Sequence, residues 1–462
     1  MVYELTDVGR TSLGPEGHLD PRHRTADGLT VSSSELPRWT AWSGAGLCIA
    51  NTIGAGVLLS TGFMAQGMGP GPILLAWLLG AVLATLGAIA YGSVAAGVVE
   101  SGGEYRYLEK LIHPFVGHLA GWGSLVLGFS APIAVDALAI GAFLRTLVPG
   151  APSPVVTGVA VVLISTFLHG RGRSLSKSVQ DRLVAIKLAL VVGLLMFGLW
   201  MGSWSWPTWA PPKGGADFPT RAIFENQFWI AFAFSGWNAA VYAAAEFRDP
   251  KRDVPKAMLI GLLVVSVIYF GLNWVFVANL TPSDAAAVFT YEETRVTLAH
   301  VLASRLGGPI ASSAVSVLAI LVFVSAISAM TVVGPRVYAE MAKDGVLPKA
   351  LGTAERGSPT LATWLQGGIA TLFVLTHGVL EVVTSAAAFL MVFAALAASC
   401  VFRIPGSSLG AKAAGAAYGV FVVVILAVGL TWGSWKLWVS LGVILGASIV
   451  SQLVRARTTQ SG

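Results

Sequence analysis

Stretches of roughly twenty mostly apolar residues recur along this 462-residue chain, the length a helix needs to cross the hydrocarbon core of a bilayer. Allowing for tilt, they fall at 39–65, 71–99, 115–147, 153–169, 180–202, 223–246, 256–279, 309–341, 359–377, 381–402, 413–431 and 434–453. The expectation is an all-α membrane protein with 12 transmembrane helices and no room for a large soluble domain. Only 11% of the residues are charged, against about 25% in soluble domains, so a water-facing surface cannot be built. The net charge of +6 is spread singly between apolar stretches, which fits lipid topology and not nucleic acid.

Lysine and arginine placement orients the chain. With the N-terminus in the cytoplasm, inner segments and the span ends next to them hold 22 of these residues, outer ones six, and one of the 29, Lys187, lies deep within a span. The positive-inside rule then puts both termini in the cytoplasm of a multi-pass cell-membrane protein. Residues 1–38 are polar, rich in glycine and proline, and lack the apolar core of a signal peptide, which reads as a disordered cytoplasmic tail. A second cytoplasmic tail is expected at 454–462.

Enzyme chemistry finds little support. Cys48 and Cys400 are the only cysteines and lie in separate apolar stretches, so neither a disulfide framework nor a cysteine metal cluster is expected. The chain has no His-Glu-x-x-His helix and no phosphate-binding loop. No metal and no cofactor are expected. A membrane enzyme or sensor would need clustered His, Asp or Ser facing one leaflet, or a signalling domain.

Two spans carry interruptions at corresponding places. The first reads Asn51-Thr52-Ile53-Gly54-Ala55-Gly56-Val57 and the sixth Phe232-Ala233-Phe234-Ser235-Gly236-Trp237-Asn238. Paired glycine breaks five spans apart point to a secondary transporter with its site between repeats. Unwound backbone exposes amide donors at one half-helix start and carbonyl acceptors at another half-helix end, so it can hold a carboxylate and an ammonium together. The competing explanation is helix packing, for which membrane helices also use glycine.

Two charges lie deep in spans. Lys187 sits within span five, where a charge costs about 3 kcal/mol on insertion scales and marks a functional candidate by default; snorkelling to the nearby inner surface is the alternative. Asp136 in span three can bind a proton, face a cationic substrate group, or stay neutral between helices. The three tryptophans of 203–210 suit an interfacial belt, and the apolar pattern from Val296 suggests a helix over the outer vestibule.

Four stretches also carry a family resemblance. They are Asn51 to Gly56; Gly102-Gly103-Glu104-Tyr105-Arg106-Tyr107-Leu108 with Gly121-Trp122; Phe232 to Asn238 with Glu246, Asp249-Pro250 and Pro255; and Gly334-Pro335-Arg336-Val337-Tyr338 with Met341 to Gly345 and Leu347-Pro348. Together they resemble the amino acid, polyamine and organocation transporter superfamily, and within it the L-type amino acid transporter branch. The resemblance implies a five-plus-five inverted repeat over 39–402 (about 39–202 and 223–402) with discontinuous helices 1 and 6, then two extra helices in 403–453. It implies that amides around Gly54, Ala55 and Gly56 hold the substrate carboxylate, flanked by Ile53, and that the carbonyls of Thr52, Phe232 and Ser235 receive the amino group. Phe232 matches the aromatic gate, and Phe234, Gly236, Trp237 and Asn238 complete the site. Lys187 matches a lysine that takes the place of sodium beside the broken first span, with Ser325 or Ser328 of span eight near it; Asp136 matches no motif position. Glu104, Arg106, Arg248, Asp249, Lys251, Arg252, Arg336 and Asp344 are expected on cytoplasmic loops as ion pairs closing an inner gate. The loop near Pro149 to Pro154 lacks the cysteine by which animal members bond a heavy subunit, so none is expected. The function implied is sodium-independent exchange of neutral amino acids, with proton-coupled symport and antiport of cationic amino acids or polyamines as alternatives.

Overall fold

The computed structural model describes residues 39–430, apart from 101–102, 171–176, 208, 211–217, 285, 287–294 and 353–358, together with 442, 445–446 and 449. Most of the expected twelfth span and both tails lie outside the described residues.

Nearly all described residues are helical. Among the described residues, seven helices are long and apolar enough to cross a membrane, and eight if a bent pair at the start counts as one span. That pair is α1, Ala41–Thr52, and α2, Ala55–Met64, which meet at 45° across Ile53 and Gly54. Pro70–Gly97 forms α3 and the short Glu104–Leu111 forms α4. The run Pro114–Leu147 forms α5. Then come α6, Pro154–Gly170, and α7, Lys177–Met201. Prolines open α3, α5 and α6, where a missing N–H costs nothing and the fixed φ suits the first turn.

Within α5, residues Ser124–Ser130 widen into a π-helical turn. Pro132 follows immediately, and having no N–H it cannot complete the preceding turn. The Ser130 hydroxyl donates instead to the Leu125 carbonyl at 2.7 Å.

Span six departs most from expectation. In place of one helix with a central break, it consists of α8, Thr220–Glu225, α9, Gln227–Ala233, α10, Ala239–Tyr242, and a 3-10 turn Ala244–Glu246. Gly236 has φ +99°, a left-handed conformation that glycine adopts without penalty, and it separates α9 from α10. The remaining helices are α11, Pro250–Asn279; α12, Leu298–Lys343; α13, Thr360–Thr376; α14, Val379–Ser399; and α15, Leu409–Leu430. A break at Gly308, φ +70°, ahead of Pro309 divides α12, so its first part is a separate helix where the pattern from Val296 suggested one.

The broken segments sit centrally. α1 runs along α11, α2 packs against α9, and α3 packs against α11 and α15. Ahead of α1, the Trp39 N–H donates to the Glu246 carbonyl and the Arg248 N–H to the Trp39 carbonyl, both at 3.0 Å. The Trp39 and Phe247 rings meet edge to face at 5.7 Å, so the start of span one and the end of span six are stitched together. Of the three interfacial tryptophans, Trp204 and Trp206 are exposed as a belt requires, whereas Trp209 is buried and donates its indole N–H to the Val277 carbonyl at 2.8 Å.

Candidate functional site

The break in span one is held open by side chains from other helices. Gly54 is extended (φ −148°, ψ −155°), and the last carbonyls of α1 have no helical partners beyond it. The Tyr269 hydroxyl of α11 lies 2.7 Å from the Thr52 carbonyl and 3.0 Å from the Ala233 carbonyl, so one phenol caps the ends of α1 and α9 at once. The buried Lys187 ammonium donates to the Ala50 carbonyl at 2.6 Å. A cation on the carbonyl end of a helix is favourable because that end carries the negative pole. Asp136, 3% exposed, faces the Ala55 backbone amide at the start of α2, and it and Lys187 lie in each other's field. The broken first span thus meets a positive group at its carbonyl end and an acidic group at its amide end.

Beside the break in span six lies a cavity of about 150 Å³. Its wall takes Phe234, Ser235, Gly236, Trp237 and Asn238 from the sixth span and Asn51 from the first. Tyr242 of span six, with Phe129, Met391 and Tyr418 of other spans, adds aromatic and apolar groups. Trp237 packs edge to face on Tyr91 at 4.9 Å, and Phe234 lies between the cavity and Tyr269, 5.2 Å from the latter. Thr52, Ile53, Gly54, Ala55, Gly56 and Phe232 are adjacent to the cavity's helices but are not on its wall. Thr52, Ile53 and Phe232 are buried. The Phe232 carbonyl accepts from the Ser235 N–H at 3.0 Å and the Ser235 hydroxyl at 2.6 Å.

The two glycines of span one serve different purposes. A Cβ on Gly56 would stand 2.5 Å from the Ala233 Cα, so Gly56 lets α2 and α9 touch backbone to backbone. A Cβ on Gly54 would meet no atom within 4 Å.

The Ser328 hydroxyl is 3.1 Å from His169 Nε2 of α6. Ser325 is buried on α12 and is not drawn to Lys187 by any hydrogen bond among the described residues. Glu104 is not a gate ion pair on a loop surface. It is 6% exposed and lines the cavity, and its Oε1 accepts from the Tyr91 hydroxyl at 2.8 Å and the Asn238 side-chain amide at 2.9 Å. The positive φ of Gly103 (+63°) turns the chain inward there, and a Cβ at that position would lie 2.4 Å from the Tyr242 ring. The next two residues do reach the expected gate partner: the Tyr105 hydroxyl donates to Asp344 at 2.7 Å and Arg106 pairs with the same carboxylate at 2.8 Å. The side chain of Arg336 lies outside the described residues. Tyr269, Tyr91 and Tyr242 were not singled out from sequence, because a tyrosine in an apolar run carries no local signature of the backbone it will reach.

The model of the family described as amino acid permease matches residues 40–434, taking in both breaks and the helices that hold them. The chain belongs to that family. The resemblance to the amino acid, polyamine and organocation superfamily and its L-type branch stands with it. The b(0,+)-type amino acid transporter 1 of Oryctolagus cuniculus is 27% identical over 282 residues, 58% of this chain and 58% of the relative. The serine/threonine exchanger SteT of Bacillus subtilis (strain 168) is 28% identical over 306 residues, 66% of this chain and 68% of the relative. The Asc-type amino acid transporter 1 of Homo sapiens is 25% identical over 254 residues, 52% and 47% respectively. The chain thus spans about half the length of the mammalian relatives it matches. This permease is a helical membrane protein whose relatives are amino acid transporters and exchangers, not enzymes.

Proposed function

We propose that the permease carries neutral L-amino acids across the cell membrane by alternating access, as a sodium-independent exchanger with both termini in the cytoplasm and no disulfide-linked heavy subunit. One observation carries this reading: the break in span six lines a cavity that Asn51, beside the first break, also reaches, and a buried ammonium, that of Lys187, already supplies a cation at the carbonyl end of the first break. The amides from Gly54 to Gly56 take the substrate carboxylate, which must displace the Asp136 carboxyl from the Ala55 amide. The carbonyls of Thr52, Phe232 and Ser235 take the amino group; that of Thr52 accepts one protein donor and keeps a second lone pair, whereas that of Phe232 accepts both Ser235 donors and must release one of them. Phe232 gates the site, and Phe234, Gly236, Trp237 and Asn238 form the side-chain pocket. The names of the relatives, a serine/threonine exchanger among them, support an amino acid as cargo.

Uptake into proteoliposomes tests the reading. Equal uptake in sodium and choline media, appearing only with amino acid preloaded in the lumen, is expected. Amino acid amides and N-acetyl amino acids should not compete, and competition as strong as the parent's would refute the site assignment.

The buried pair Asp136 and Lys187 favours a second reading, proton-coupled symport, because two titratable groups sharing one interior can exchange a proton as the site opens and closes. Accumulation into an empty lumen driven by an inward proton gradient would select it over exchange.

A further inference from the structure

The cavity wall carries one ionisable carboxyl group, Glu104, and no lysine, arginine or histidine among the described residues. Glu104 reaches it from α4, between the spans, with Asn238 and Tyr91 both donating to the same oxygen. Four phenols lie in its field: Tyr91 of α3, Tyr107 of its own helix, Tyr242 of α10 and Tyr418 of α15. The cation two residues on, Arg106, is held by Asp344 and Glu109.

An ionised carboxylate only accepts hydrogen bonds, whereas a protonated one also donates. The side-chain amide of Asn has a donor end and an acceptor end. While Glu104 is ionised, Asn238 must turn its nitrogen toward Glu104 and its oxygen away. Once Glu104 is protonated, its O–H can donate to that oxygen and the amide can turn over, the Tyr242 hydroxyl on its other side being able to donate or accept in either orientation.

We propose that Glu104 is a positioning residue for the substrate cavity, which fixes the direction of the Asn238 amide and thereby sets whether the unwound part of span six presents an acceptor or a donor to the substrate side chain. The proposal rests on the transport reading above. Burial pushes the Glu104 carboxyl up from its ordinary 4.5 to about 7, against the hydrogen bonds from Tyr91 and Asn238, so both states are populated near neutrality. The permease then changes side-chain preference with pH without changing its hold on the backbone of the amino acid.

The test compares serine, whose hydroxyl donates and accepts, with O-methylserine, whose ether only accepts, as inhibitors of uptake by the full chain in proteoliposomes. In the wild type, the preference for serine should fall by roughly fivefold between about pH 8.5 and about pH 5.5, the equivalent of one net hydrogen bond. Glu104→Gln, which offers both a donor and an acceptor at every pH, should give a flat ratio near the acidic value of the wild type. A flat ratio in the wild type, the same slope in Glu104→Gln, or failure of serine to compete at either pH would each overturn the proposal. The wild-type arm needs no variant, so a poorly folding Glu104→Gln leaves the proposal exposed to test. An N-acetylserine arm separates the two levels of inference. Its competing as well as serine brings down the transport site itself, whereas its exclusion alongside a flat ratio brings down the role of Glu104 alone.

Discussion

Gly54 and Gly56 stand two residues apart in one motif, yet substitution by alanine should have opposite consequences. At Gly56 the added methyl carbon would lie 2.5 Å from the Ala233 Cα and 2.8 Å from its Cβ. Carbon atoms settle at about 3.5–4.0 Å, so α2 and α9 must part by roughly 1 Å. Ala233 cannot rotate out of the way, because the nearest atom belongs to the backbone. Overpacking of this kind costs about 1–3 kcal/mol, and Gly56→Ala should unfold at a lower temperature in detergent. Gly54→Ala meets no neighbour within 4 Å, and its extended backbone suits any residue. It should keep wild-type stability and lose affinity, because its methyl fills space a bound carboxylate needs. The assay is a thermal melt and a substrate titration on the same purified samples. A stable, weak-binding Gly56→Ala beside an unstable Gly54→Ala would refute this division of labour.

Lys187→Met removes the donor to the Ala50 carbonyl and leaves Asp136 without its cation, a change expected to cost about 3–5 kcal/mol; a melt and uptake matching wild type would show that the ammonium is incidental. Tyr269→Phe takes one hydroxyl from two carbonyls and should cost about 1–3 kcal/mol, read as a lowered melting temperature, with an unchanged melt counting against the cap. Asp344→Ala releases Tyr105 and Arg106 together, and since the pair is partly exposed it should alter stability by less than about 1 kcal/mol while changing the transport rate. Ionising Glu104 within the fold is unfavourable, so its contribution to stability is complete below its ordinary 4.5 and is lost as pH rises through about 7. The difference is on the order of 3 kcal/mol, and denaturation followed across that range should show it in the wild type and not in Glu104→Gln.

Helix positions were legible from sequence because membrane spans announce themselves by length and apolarity. Most boundaries agree within a few residues, as with 71–99 against Pro70–Gly97. The first break was legible too, since Gly54 and Gly56 interrupt an apolar run. The sixth span was harder: Ser235 and Gly236 mark its centre, but the turns on either side arise from backbone hydrogen bonds, such as Ser235 N–H to the Phe232 carbonyl, that no residue type signals. Charge misled at Glu104. A glutamate in a polar stretch reads as solvated, and only its tertiary neighbours show that a left-handed Gly103 and two hydrogen-bond donors draw it inside. Lys187 was legible as an anomaly because insertion energetics make any buried lysine one, although its acceptor, Ala50, was not.

The stitch between Trp39 and the chain around Glu246 and Arg248 constrains how this permease can open. Two backbone hydrogen bonds and a ring contact join the start of α1 to the end of span six, and a Cβ on Gly44 would overlap the Phe247 ring at 2.5 Å. These two arms belong to different halves of the chain, yet neither can swing without dragging the other. On the alternating-access reading proposed above, Gly54 and Gly236 are where each arm detaches from its continuation, and opening at that end is a single paired stroke, like one door hung on two hinges.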